Sequence, residues 1–295
     1  MASSPDDSVP KNEGEGAQFH LIQENEINGL DTSLSLLVDG KPTASMNPAA
    51  HGWSRRPLAD TRLHGGLWTW GRNKRWEYWG VMTPRHIIGI TISSLDYAGV
   101  NQLYVVERET LKPWSSEVVD PLARRVRLPD TYAQSDASFT SFDVNITIKE
   151  SRTATHRITH ITASGKQSGI EVDVELKRGI DADALHVVVP WNERQFQYTI
   201  KEPAIPAQGT IKIKGETHAF GGDVDSASFG VLDHGRGRWP YSMVWNWAAG
   251  SGYVDGKRVG LQLGAKWTDG TGSTENAVIV NGHLTKISEE LTLGA

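Results

Sequence analysis

Apolar and polar residues alternate with period two along most of the chain, and almost every apolar segment after Phe19 keeps that rhythm. The clearest cases are Trp76/Tyr78 in RWEYWGV, Val144/Ile146/Ile148 in FDVNITIK, Ile170/Val172/Val174/Leu176 in IEVDVELK and Tyr241/Met243/Trp245/Trp247 in YSMVWNWA. Residues two apart share one face of a strand, so each of these segments predicts a half-buried β-strand. HIIGITISS (86–94), QLYVVER (102–108), THRITHITA (155–163), LHVVVP (185–190), RVGLQLG (258–264) and NAVIVNG (276–282) are short, β-branched and bounded by Gly, Pro, Asp or Asn. They read as further strands. No window of a dozen residues carries a helical stripe, so the pattern predicts an antiparallel all-β protein of roughly fifteen strands.

Interruptions of the rhythm suggest how the chain is divided. Residues 1–17 are polar, acidic and bear Gly, Pro and Ser, which predicts a disordered tail. Pro203 and Pro206 break the pattern within Pro190 to Gln208, because proline cannot donate to a sheet ladder. That segment is the expected joint between an N-terminal β-barrel-like domain, 18–190, and a C-terminal β domain, 191–295. HGRGR is too rich in glycine and charge for a strand interior and reads as a tight loop that feeds YSMVWNWA.

Seven of the 11 Trp fall in two segments, HGGLWTWGRNKRWEYWGVMTP (64–84) and FGVLDHGRGRWPYSMVWNWAAGSG (229–252). A buried tryptophan removes roughly 150–250 Å² from water, so rings at this density build a core or line a pocket. Polar residues among them must find partners wherever they are buried. Glu77 lies between rings, and if its face points inward, burial would raise its pKa and make it a general acid. Asp233 and Arg236 stand at the entrance to the alternating face, as a structural ion pair or as a charged pair acting on a ligand. His64 and Arg72 bracket the first loop.

Composition narrows the chemistry. The formal net charge of -5 gives no electrostatic footprint for nucleic acid. With no cysteine, thiolate nucleophiles and Cys-based zinc sites are excluded. His156 and His160 would stand about 13 Å apart on a strand, too far to share one ion, so no metal or other cofactor is expected. No stretch approaches a membrane span and the N-terminus has no secretory h-region, which points to a cytoplasmic protein.

LWTWGRNKRWEYWGVMTP, FGVLDHGRGRWPY, NWAAGSG, GLQLGAKWTDGTGSTENAVIVNG and HLTKI together resemble the Trp-rich family called domain of unknown function 2804, over about Phe19 to Ile287. That family is similar to calycin-like double-β proteins, which include carotenoid hydratases and AttH-like proteins. The resemblance implies two lipocalin-like antiparallel β-barrel or sandwich halves packed together, and assigns no activity. Its matching positions are Trp68, Trp70, Gly71, Arg72, Trp76, Trp79, Asp233, Gly235, Arg236, Gly237, Trp239, Pro240, Tyr241, Glu275 and Asn276. After HLTKI the family continues into further strands where this chain ends in ISEELTLGA, so a truncated second half is expected.

The expected function is binding of a hydrophobic small molecule, lipid-like or isoprenoid-like, in a Trp-lined β cavity, with proton-assisted hydration, cyclisation or isomerisation as its chemistry. Asp233 and Glu77 are the candidate catalytic acids. Trp68, Trp70, Arg72, Trp76, Trp79, Arg236, Trp239, Tyr241, Trp245, Trp247, Glu275 and Asn276 are the candidate ligand-binding residues. Carbohydrate recognition is the alternative, since Trp faces stack on sugars and carboxylates can act in pairs. A non-catalytic carrier or a scaffold would need only the rings.

Overall fold

The computed structural model describes residues 22–28, 34–63, 66–223, 225 and 227–291. The expected N-terminal tail and His64 lie outside the described residues. Apart from three short 3-10 turns, the described elements are strands: β1 (Gly52–Ser54), β2 (Asn73–Met82), β3 (His86–Ser94), β4 (Ala98–Glu107), β5 (Pro113–Pro121), β6 (Ala137–Thr140), β7 (Val144–Arg152), β8 (His156–Gly165), β9 (Ile170–Gly179), β10 (Leu185–Pro190), β11 (Phe196–Ile213), β12 (Glu216–Phe220), β13 (Phe229–Arg238), β14 (Asn246–Val254), β15 (Lys257–Ala265), β16 (Asn276–Val280) and β17 (His283–Ile287). All strand pairings in the sheets are antiparallel.

Alternation places the side chains. On β9, Ile170, Val172, Val174 and Leu176 are buried, while Glu171, Asp173 and Lys177 face solvent. On β3, Ile88, Ile90 and Ile92 are fully buried and Ile87 is exposed. Thirteen strands join one sheet whose main path runs β5-β4-β3-β2-β13-β11-β9-β8-β7-β6. Its two ends approach each other, β5 against β7 and β4 against β7 and β8, so the sheet curls into a half-barrel. The large core, including Trp79, Leu103, Phe139, Phe196 and Leu232, fills that curl. A second sheet, β14-β15-β16-β17, adds a smaller core of Trp53, Leu185, Val187, Val189, Trp267, Ile279 and Leu284 where it meets β1 and β10.

Two expectations are corrected here. Pro190 to Gln208 is occupied mainly by β11, the longest strand, and β10 pairs with it across residue 190, from Leu185↔Lys201 to Pro190↔Phe196. The prolines are tolerated because the β11 to β13 register shifts between Glu202 and Ile205, with Ala204 at φ 57°. This bulge lets β11 leave the β10/β13 neighbourhood and continue beside β9 and β12. The second correction exchanges loop and strand. HGRGR belongs to β13, in the middle of the sheet between β2 and β11, while Tyr241 to Trp245 form a loop before β14.

The exchange has a steric reason. A Cβ at Gly235 would fall inside the Trp76 indole, and one at Gly237 would collide with Gln197 and the Phe196 carbonyl. Glycine therefore serves close strand approach here, and not a turn.

Candidate functional site

β2, β13 and β11 lie side by side, and alternation turns one side chain in two towards the second sheet. Trp76 comes from β2, Asp233 from β13, and Gln197, Thr199 and Lys201 from β11. The loop after β13 brings Trp239, Tyr241, Met243 and Trp245; β14 adds Trp247, and the segment between β15 and β16 adds Trp267 and Glu275. Together they enclose a cavity of about 460 Å³ between the sheets. A wider concavity of about 860 Å³ on β7, β8, β9 and β11 has polar lining such as Asn145, Thr162 and Asp173, and no aromatic side chain. The aromatic cavity has the size and character of a small-molecule site.

Its walls are a connected array of indoles. Trp239 packs edge-on against Trp76, Trp191 and Trp245, with centroids 5.6, 5.5 and 6.1 Å apart, and lies parallel to Trp267 at 6.3 Å. Edge-to-face packing adds to the gain from burial. Each buried indole N–H needs an acceptor, and this need orients the rings: Trp239 donates to Gln197 Oε1 (2.6 Å), Trp247 to Gln262 Oε1 (2.8 Å) and Trp191 to the Trp267 carbonyl (2.8 Å).

Two further indoles hold the charged floor. Trp76 donates to Asp233 Oδ1 (3.2 Å) and Trp267 to Glu275 Oε1 (2.7 Å). The remaining oxygen of each carboxylate lies 2.9 Å from Lys201 Nζ. Lys201 and Glu275 are buried, and Asp233 keeps 17% of its side chain accessible. Burial opposes the charge on Lys201, but Asp233 and Glu275 outweigh it and hold its pKa above the ordinary lysine range. Burial pushes the Glu275 carboxyl upward, against the pull of Lys201. Lys201 Nζ also sits 5.3 Å from the Trp247 ring centre. A Cβ at Gly264 would collide with the Glu275 carboxylate, so glycine there makes its room.

The other face of the same strands is different. Glu77, His234 and Arg236 point into the large core. Arg236 donates to the carbonyls of Pro129 (2.9 Å), Gly235 (2.8 Å) and Trp76 (3.1 Å), and stands 3.8 Å from Glu77 Oε1. Burial lowers its pKa to about 10, although Glu77 opposes this. Burial likewise raises the Glu77 carboxyl. His234, 3.7 Å from Glu77 and edge-on to Tyr132, makes no ring hydrogen bond, and burial followed by Arg236 drives its pKa well below the usual histidine value.

The cavity thus gathers Trp76, Asp233, Trp239, Tyr241, Trp245, Trp247 and Glu275 from the residues expected by sequence. It does not gather the others. Glu77, Trp79 and Arg236 belong to the large core's side of the sheet. Asn276 accepts from Gly264 N and donates to the Glu289 carbonyl. Trp68, Trp70 and Arg72 are exposed on the turn before β2. Asp233 and Arg236, expected as a pair, face opposite sides of β13; Lys201 partners the first and Glu77 the second. Lys201, Gln197, Thr199, Met243 and Trp267 were missed. The alternation Gln197/Thr199/Lys201 against Phe196/Tyr198/Ile200 carried the signal for β11, but the nearby prolines argued against a strand there.

Fold and cavity together define an antiparallel all-β protein with a tryptophan-walled cavity between its two sheets. The chain belongs to the family described as Domain of unknown function (DUF2804), whose model matches residues 31–294. No curated protein matches the sequence. Among solved structures it is similar to an AttH-type protein of Nitrosomonas europaea, with 13% identity over 72% of this chain and 67% of that one, and a TM-score of 0.38. It is also similar to kievitone hydratase from Nectria haematococca, with 10% identity, 91% and 73% coverage and a TM-score of 0.43. CghA, solved with Sch210972, shows 10% identity over 72% of this chain and 59% of that one, with a TM-score of 0.33. Among the described residues no helix is long and apolar enough to cross a membrane.

Proposed function

We propose that the chain binds a small, mainly apolar molecule bearing a carbonyl in the tryptophan cavity, and moves a proton on it. The observation that carries this reading is the ion cluster at the base of an aromatic cavity, with Lys201 Nζ 2.9 Å from both Asp233 and Glu275. Indole walls gain from covering apolar surface, while the cluster gives the ligand's polar end one orientation. Asp233, the accessible member, would act as base and remove a proton from the carbon beside the carbonyl. The electron pair would pass to the carbonyl oxygen, where the Lys201 ammonium offers a hydrogen bond to the developing oxyanion. Where the ligand carries a carbon–carbon double bond at the β,γ position, the electron pair is shared over a dienolate, and return of the proton to its γ-carbon shifts the double bond into conjugation and completes an isomerisation.

This differs from the expected role of Asp233 and Glu77 as acids. Asp233 sits against a lysine held in its charged form, and Glu77 opens onto the other side of the sheet. The ion pairing also favours this reading over sugar cleavage, because Lys201 lies between the two carboxylates that would have to flank a glycosidic bond.

β-Ionone, an apolar enone, provides the test. Tryptophan fluorescence should fall as it is added, and NMR in deuterated buffer should show its α-protons exchanging faster with the protein than without. Asp233→Asn should retain binding and lower the exchange rate by roughly 10²–10⁴-fold, the usual contribution of a positioned base. Binding with no exchange would leave a carrier; no binding by β-ionone or by fatty acids would overturn the apolar-ligand reading.

A further inference from the structure

We infer that the rim of the tryptophan cavity docks on an anionic lipid surface. Asn73 pairs with Arg238, so the turn before β2 and the loop after β13 leave the sheet side by side. The first carries Leu67, Trp68 and Trp70, which are 93%, 90% and 53% exposed. The second carries Tyr241, fully exposed, with Val244 and Trp245 at 63% and 59%. Large side chains this open are normal singly, but a cluster of them marks a surface that meets something apolar.

The chemistry of the rim selects a bilayer. Tryptophan and tyrosine favour the boundary between headgroups and acyl chains, where the ring is buried and its polar atom stays wet. Arg72 is exposed on the same turn, and Lys74 follows at the start of β2. Two carboxylates stand beside them, Asp96, which is buried and accepts with one oxygen from Gly71 N, Asn73 N and Asn73 Nδ2, and Asp130, 3.8 Å from Arg75, so the cations Arg72, Lys74 and Arg75 outnumber them. The rim is therefore locally cationic on a chain of net charge -5, which matches anionic headgroups. Tyr241 and Trp245 also line the cavity, so its mouth opens within the apolar patch. A protein seated on the patch would close that mouth. A bilayer could supply an apolar ligand directly to it, a step that rests on the function proposed above, whereas the docking itself does not.

Sedimentation with vesicles tests the docking. The protein should pellet with phosphatidylcholine vesicles that contain phosphatidylserine, with a blue shift of tryptophan emission, and pellet less with phosphatidylcholine alone or at high salt. Trp68→Ser combined with Trp70→Ser removes rings that line no cavity wall, and should weaken vesicle binding about tenfold or more. Its far-UV circular dichroism and its β-ionone titration should match those of the unaltered protein. Failure to pellet with the anionic vesicles, or equal pelleting of the double variant, would overturn the proposal. If vesicles bind and β-ionone does not, the docking stands and the cavity reading falls.

Discussion

Lys201 shows how a single buried charge depends on its surroundings. Two carboxylates at 2.9 Å and the Trp247 ring hold the ammonium where burial alone would neutralise it. Removing the cation strands two anions in a dry site, and breaking a buried pair in this way costs about 3–5 kcal/mol. Lys201→Met should therefore lose about that much stability in urea unfolding at neutral pH. The deficit should shrink as pH falls, because the stranded Glu275 carboxyl, whose burial raises its pKa in the folded state, then takes up a proton and becomes neutral. A deficit that stays constant from neutral to mildly acid pH would show that packing, and not charge, sets the cost. Gly235 makes a complementary case, since the substituent it lacks would occupy the space of the Trp76 ring. Gly235→Ala should cost about 1–3 kcal/mol by overpacking, and displace Trp76 from Asp233, which a weakened β-ionone titration would reveal.

At the scale of the element, legibility followed steric monotony. β9, and β8 from Thr159 onward, alternate between a core and an outer face, and a period of two is enough to find them. β13 defeated the same logic, because three demands meet on ten residues: Gly235 and Gly237 admit neighbouring side chains and backbone, Asp233 serves the cavity, and Arg236 is buried against carbonyls. Each substitutes for an apolar residue for a reason that lies on another strand. The loop from Tyr241 to Trp245 misled in the opposite direction, since Trp245 packs onto Trp239 and Tyr241 stands exposed at the cavity rim, with no ladder behind either. The tryptophan and Asp233 contributions to the site were readable as clustered rings beside isolated charge. Lys201 was not, because its two partners are 32 and 74 residues further along the chain and only the strand pairing and the packing of the second sheet bring them together.

Across the whole molecule, buried histidines and buried glutamates respond to pH in opposite directions, and the large core holds both kinds. In the large core, His234 and His186 are buried and their pKa values are driven well below the ordinary 6.5, by burial first and then, respectively, by Arg236 and Arg157. A lowered folded-state pKa means that the unfolded chain binds the proton first as pH falls. The stability these imidazoles confer is therefore complete above the unfolded value and is lost on acidification from about 6.5 towards the folded value, at about 1.4 kcal/mol per pH unit for each proton. Glu77 and Glu275, whose burial raises them, contribute in the opposite sense. The two effects overlap in a simple titration, and His234 allows them to be separated because its ring holds no hydrogen bond that a substitution would break. His234→Leu should reduce the loss of unfolding free energy between pH 6.5 and pH 5.5 by up to about 1.4 kcal/mol relative to the unaltered chain. An unchanged slope in parallel urea titrations would mean that His234 takes up its proton inside the folded core, with Glu77 at 3.7 Å as its counter-ion.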